Sequence, residues 1–144
     1  MTEISSSVNG QAFAISELLL ELSRRVEAAA NASALKPAQW SALRYLARAP
    51  ASARTNRAFA RYHHTTTGTV TLTLKSLTDR GLLERQPDPK DGRVVRFDVT
   101  EAGHLTLQDD PVLRLVNAVE GLSEVQRLQL TDILTALLIE DASR

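Results

Sequence analysis

Thr66-Thr67-Gly68-Thr69-Val70-Thr71-Leu72-Thr73-Leu74-Lys75-Ser76-Leu77-Thr78-Asp79-Arg80-Gly81 can be read with two periods, and the choice between them sets the fold. Residues 69–74 alternate polar and apolar and are rich in β-branched side chains, the pattern of a half-buried strand. At helical spacing, Val70, Leu74 and Leu77 fall at i, i+4 and i+7 on one face. Thr66 or Thr67 then becomes the N-cap, and Gly81 takes the position past the helix end where a left-handed backbone is needed. The strand reading leaves Thr78-Asp79-Arg80 without a role and puts Gly68 into a ladder that it would weaken. The order of neighbouring elements also favours the helix, so tertiary demand overrides local β-propensity.

On the N-terminal side, residues 8–34 carry Phe13, Ile15, Leu18, Leu19, Leu22 and Val26 at spacings of mostly three or four, which predicts a long amphipathic helix. Pro37 starts a second helix in its first turn, with Trp40, Leu43, Leu46 and Ala47 as the apolar stripe, and Ala49-Pro50-Ala51 ends it. Thr55-Asn56 can cap a short helix running through Arg61. On the C-terminal side, Leu82–Arg85 and Val94–Val99 are strand-like. The segment between them contains Asp91-Gly92, a strong turn signal, so the three pieces form a long-looped β-hairpin. Thr100-Glu101 opens a helix reaching to about Glu120, which Pro111 should kink or break near Asp109–Asp110. Ser123 with Gln126 is a capping-box pattern heading a last helix that carries Leu128, Leu130, Ile133, Leu134, Leu137 and Leu138.

This order is a mainly α chain with a small β-hairpin wing: a winged helix-turn-helix flanked by N- and C-terminal dimerisation helices. The expected divisions are residues 1–34 for the N-terminal dimerisation helix, 35–100 for the winged helix-turn-helix and 101–144 for the C-terminal helices. Leu18–Leu20 and Leu137–Ile139 are apolar nearly all round, as expected of helices packed between protomers.

Charge agrees with this division. The totals cancel, with 17 Lys/Arg and 17 Asp/Glu, but twelve Lys/Arg and only five Asp/Glu lie between Lys36 and Val99. A basic middle between acidic ends suits a polyanion-binding module joined to parts that bind no polyanion. In a winged helix-turn-helix the second helix of the pair enters the major groove with its N-terminal residues leading. Its threonine hydroxyls then reach phosphates and base edges, and its free N–H groups suit a phosphate. Such threonines also serve simply as caps and solvated surface. Thr66, Thr67, Thr69, Thr71 and Lys75 are the expected helix contacts, and Arg54, Arg57, Lys90 and Arg93 the expected flanking and wing contacts with double-stranded DNA. Arg61 and Arg96 are further candidates for phosphate.

Taken in series, these blocks resemble the MarR family of winged-helix regulators. LKPAQWSALRYLA is similar to the family's second helix, and AFARYHHTTTGTVTLTLKSLTDRGLLER to its recognition block and first wing strand. PDPKDGRVVRFDVTEAG is similar to its wing and the start of the next helix. The most specific pieces are Asp91-x-Arg93 and Thr100-Glu101-x-Gly103. The resemblance implies a homodimeric transcription regulator, in many members a repressor that a small, often aromatic and anionic ligand releases. It implies that Arg93 enters a minor groove with Asp91 orienting it, and that Phe13, Trp40, Arg44 and Tyr45 line a ligand pocket. Trp40 on an apolar stripe reads equally as core. The chain departs from the family pattern in two places. Leu72 stands where an Arg is common, and a methyl-bearing side chain can touch thymine but cannot grip phosphate or guanine. His64 stands where a small Gly usually precedes the recognition helix.

Other classes find little support. Adjacent histidines such as His63-His64 point about 100° apart on a helix and rarely share an ion, so they read as phosphate or turn contacts or as plain surface. With no cysteine, no Gly-rich phosphate loop, no activated serine and no metal-ligand spacing, neither an enzyme, a metal nor a cofactor is expected. No apolar run is long enough for a membrane span, and the N-terminus lacks the marks of a secretory signal, so a cytoplasmic location is expected. The alternative function is an interaction module that kept the winged-helix scaffold and lost operator binding.

Overall fold

The TVTLTL segment is helical, and its threonines show how. In the computed structural model, which describes residues 10–144, Thr67–Asp79 form helix α4. The Thr66 hydroxyl caps it by accepting the Thr69 N–H. Thr71, Thr73 and Thr78 then donate their hydroxyls to the carbonyls four residues back, at 2.8, 3.4 and 2.8 Å. β-Branched residues fit a helix poorly because χ1 is restricted, and this back-bonding is how Thr is accommodated there. Five threonines and one valine each sit up to about 0.7 kcal/mol below Ala in helix propensity, roughly 4 kcal/mol together. Against this, Val70, Leu74 and Leu77 are fully buried, each contributing roughly 1.5–3 kcal/mol. Packing therefore wins. Gly81 (φ 74°) ends the helix in the left-handed region. The N–H groups of Gly81 and Leu82 bond back to Thr78 and Leu77 carbonyls, a Schellman closure.

The other elements follow their local signals with small shifts. Helix α1 spans Gly10–Asn31, shorter than the expected 8–34; residues 8 and 9 lie outside the described residues. Ser33 stops it by donating to the Ala30 carbonyl. Helix α2 spans Pro37–Arg48 and buries Trp40, Ala42, Leu43 and Leu46. A 3-10 turn follows at Ala51–Ala53, and then α3, Asn56–Tyr62, with Thr55 as its cap. Strands β1 (Leu83–Pro87) and β2 (Val95–Val99) pair antiparallel, Leu83 opposite Val99 and Pro87 opposite Val95. Leu82, expected in the first strand, closes α4 instead and accepts the Thr100 N–H. Thr55 bridges to Arg96, and Phe97 donates to the Arg54 carbonyl, so the hairpin is sewn to the start of α3. The helix expected across 100–120 is broken, as Pro111 requires, into α5 (Glu101–Leu107) and α6 (Leu113–Glu120). The capping box of Ser123 and Gln126 opens α7, Glu124–Ala142.

The chain divides into two units at the bond between Asp110 and Pro111. In the first, α2, α3, α4 and the hairpin surround a core of Trp40, Leu43, Leu46, Phe59, Val70, Leu74, Leu77, Leu83 and Phe97. Ala30 carries the end of α1 into that core. The rest of α1 presents Phe13, Ile15, Leu18, Leu20 and Leu22 to solvent. The second unit holds α6 and α7, whose turn is fastened by Arg127 donating to the Glu120 and Leu122 carbonyls. Neither helix buries a residue, and Val125, Leu128, Ile133, Leu138 and Ile139 on α7 are exposed.

Candidate nucleic-acid interface

Burying Val70, Leu74 and Leu77 turns the opposite side of α4 outward. Gly68, Thr71, Leu72, Lys75 and Asp79 form an exposed stripe at spacings of three and four, with Thr66, Thr67 and Thr69 exposed around the N-terminus. The sequence-predicted helix contacts are all exposed, but their polar atoms are not idle. Asn56 of α3 donates to the Thr71 hydroxyl at 2.7 Å and to the Thr67 carbonyl at 3.2 Å. The Thr71 hydroxyl itself donates to that same carbonyl. Thr66 and Thr69 hydroxyls share a hydrogen bond of 3.0 Å. Lys75 reaches Asp79 at 2.6 Å, an exposed pair of the kind that contributes little and exchanges partners readily.

The wing is ordered by Asp88. Its carboxylate accepts the backbone N–H groups of Lys90 and Asp91 and the guanidinium of Arg96, the last at 2.6 Å. The Lys90 backbone bond, helped by Arg96, holds its pKa below the usual carboxylate value. Asp91 accepts the backbone N–H of Arg93 at 3.0 Å, so it shapes the turn under Arg93 and is not bonded to its guanidinium. Lys90 and Arg93 are exposed. Arg96, by contrast, is drawn in against Asp88. Arg54 donates to the Ala49 carbonyl and to Asp98, tying α2 to β2. Arg57 and Arg61 are exposed on α3. Between α3, α4 and the hairpin lies a groove of about 560 Å³ lined by Arg57, Lys75 and Arg85 and by Val94, Val95 and Phe97.

The turn between α3 and α4 carries the two histidines. His63 stacks on Phe59 with ring centroids 5.3 Å apart and lies 3.3 Å from the Ser41 hydroxyl. His64 has φ 51°, the conformation that a glycine would adopt without strain. Among the described residues no group of His, Asp or Glu could hold a metal ion.

Of the four expected pocket residues, the three with polar side-chain atoms use them separately. Trp40 is buried and donates its indole N–H to Ser33 at 2.7 Å. Arg44 grips both oxygens of the buried Asp110 at 2.8 and 2.9 Å. Tyr45 donates to the Ala53 carbonyl and packs against Phe59 and Tyr62. Burial, with Tyr62 beside it, raises its pKa. Phe13 is exposed on α1, and no hydrogen bond or ring contact joins it to the other three. Sequence reading had no means of finding Asn56 as a clamp on α4 or Asp110 as the partner of Arg44, because each works through chain segments brought together only by folding; Asp88 was missed although its bonds to the Lys90 and Asp91 N–H groups are the local turn that Asp favours.

Helix, turn, recognition helix and a basic two-stranded wing on one core define a winged helix-turn-helix protein. The model of the MarR family matches residues 35–94, the whole of that module up to the wing tip, and over those residues the chain is similar to that family. Solved structures agree along most of its length. A probable transcriptional regulator from Pseudomonas aeruginosa is 27% identical, with a TM-score of 0.61 over 85% of this chain and 96% of that one. CouR from Rhodococcus jostii RHA1, bound to p-coumaroyl-CoA, is 26% identical, with a TM-score of 0.67 over 90% and 92%. FabT of Streptococcus pneumoniae, in complex with DNA, has the same fold at 24% identity, a TM-score of 0.71 and coverage of 91% and 99%. No curated protein matches the sequence. No helix among the described residues is long and apolar enough to cross a membrane.

Proposed function

We propose that this chain is a sequence-specific DNA-binding regulator, a homodimeric repressor that a small ligand releases from its operator. The observation that carries the reading is the exposed stripe of α4 in the same module as the exposed wing cations Lys90 and Arg93. In this arrangement α4 lies in a major groove with Thr66, Thr67 and Thr69 leading, and the wing reaches an adjacent minor groove through Arg93. Arg57 and Lys75 meet phosphate, and Arg54 positions the hairpin. The DNA-bound FabT structure supports the mode of binding. The apolar residues exposed on α1 and on α7 support dimerisation through the terminal helices. The ligand-bound CouR structure supports release by a small molecule, with Phe13, Trp40, Arg44 and Tyr45 as the starting set for locating it. The location is cytoplasmic, and no chemistry is catalysed.

The test is a gel shift against duplexes selected from a random pool, repeated from 50 to 200 mM salt. Affinity should fall steeply with salt, because each phosphate neutralised releases condensed counterions. Arg93→Ala should lower affinity about tenfold, the order of one groove contact, without lowering the melting temperature. Failure to enrich any duplex would leave the winged-helix scaffold as a protein-interaction module.

A further inference from the structure

The middle of the outward face of α4 carries an exposed apolar side chain. Leu72 is 71% exposed, whereas the other large apolar residues of its helix, Val70, Leu74 and Leu77, are fully buried. Two of its neighbours on the stripe, Thr71 and Gly68, offer little hydrogen-bonding capacity. The Thr71 donor is committed to the Thr67 carbonyl, and its acceptor side takes the Asn56 amide. Lys75 faces Asp79, whose own negative charge lies at the far end of the same stripe. Gly68, one turn earlier, carries no side chain, and a Cβ built there would meet nothing nearer than 3.9 Å. A helix with this face can come close to a base edge at Gly68 and press an isobutyl group into the groove at Leu72. It has no fork of donors for guanine at that point. The one apolar feature of the major-groove floor is the C5-methyl of thymine.

We infer that Leu72 is a specificity-determining residue that reads a thymine methyl near the centre of each operator half-site. This rests on the DNA-binding reading above. Exposing an isolated leucine is unremarkable; its place on the outward stripe, beside a threonine whose hydroxyl is already bonded and a glycine with no side chain, is what gives it a partner of defined chemistry. The apolar contact replaces hydrogen-bonded recognition at that base pair.

The experiment uses a duplex selected by the full-length protein. Each thymine is replaced in turn by deoxyuridine, which removes one methyl group and changes no hydrogen bond. One position per half-site should lower wild-type affinity about fourfold, the effect of taking one buried methyl group from contact. Leu72→Ala should bind the thymine duplex more weakly and show no further loss with deoxyuridine at that position. Its exposure means that the variant keeps the wild-type melting temperature. Leu72→Arg should shift the preferred base there to guanine. If no deoxyuridine position matters, or if Leu72→Ala stays equally sensitive to the same one, the assignment is overturned while DNA binding stands. If no duplex is bound at all, the DNA-binding reading falls and takes this inference with it.

Discussion

Gly103→Ala and Gly68→Ala are the same chemical change in two helices of one module, and their effects should have opposite signs. At Gly103, in the first turn of α5, an added Cβ would lie 2.3 Å from the Leu82 carbonyl oxygen and 2.7 Å from a Val99 methyl. Both neighbours are held: the Leu82 carbonyl is backbone and accepts the Thr100 N–H at 3.2 Å. Reaching ordinary contact near 3.4 Å therefore requires α5 to move about 1 Å off the hairpin. Overpacking of this kind costs about 1–3 kcal/mol, and a weakened Thr100–Leu82 bond adds about 0.5–1.5 kcal/mol. The better helix propensity of Ala returns about 1 kcal/mol. The net loss is about 2 kcal/mol, which for a chain of this size lowers the melting temperature by about 4–8 °C. At Gly68 the propensity gain of about 0.5–1 kcal/mol is unopposed, so the melting temperature should rise by a few degrees. Thermal unfolding followed by circular dichroism, at one protein concentration for all three proteins, measures both. A Gly103→Ala variant as stable as wild type would refute the close approach of α5 to the Leu82 carbonyl.

His64→Gly should stabilise the fold by about 1 kcal/mol, because it relieves a left-handed backbone at a residue with a Cβ; equal or lower stability in urea unfolding would count against the turn as described. Arg44→Ala should destabilise more than Asp110→Ala, since the first leaves a carboxylate that is 3% exposed without its cation, whereas the second leaves a guanidinium that is 33% exposed and can reach water. Losses of about 3 and about 1–2 kcal/mol are expected, and reversal of the order in chemical denaturation would be the contrary result. Asp88 has a folded-state pKa below its unfolded value, so its contribution is present above about pH 4 and is lost as pH falls through the folded value. Asp88→Asn should therefore be less stable than wild type at pH 7 and lose less on acidification below pH 4; parallel stability–pH curves would show that the carboxylate has no such role.

Elements whose ends are written in adjacent residues were legible. Thr55, Thr66, Thr100 and Ser123 each cap the helix that follows them, and Gly81 takes the left-handed position assigned to it. Pro111 divides what would otherwise be one helix because its ring cannot continue the hydrogen-bond ladder. The order of these pieces was enough to recognise the winged helix. The polar traffic of the interface was less accessible. The basic excess between Lys36 and Val99 says where cations are, but not that Arg96 is taken up by Asp88 or Arg54 by Asp98. Arg44 and Asp110 lie 66 residues apart, and no local pattern joins them. At Gly103 the motif was visible, but its reason, the approach of a carbonyl from another element, was not.

The sixfold run Thr69–Leu74 has no charge, proline or glycine, and it is helical only because a core is there to receive one of its sides. Released from that core, the same residues carry the composition of a strand that pairs with copies of itself. Any substitution that loosens Val70, Leu74 or Leu77 should thus do more than weaken a helix: it should shorten the time the chain stays in solution when warmed. Unfolding should therefore expose, in Thr69–Leu74, a segment suited to pairing with copies of itself.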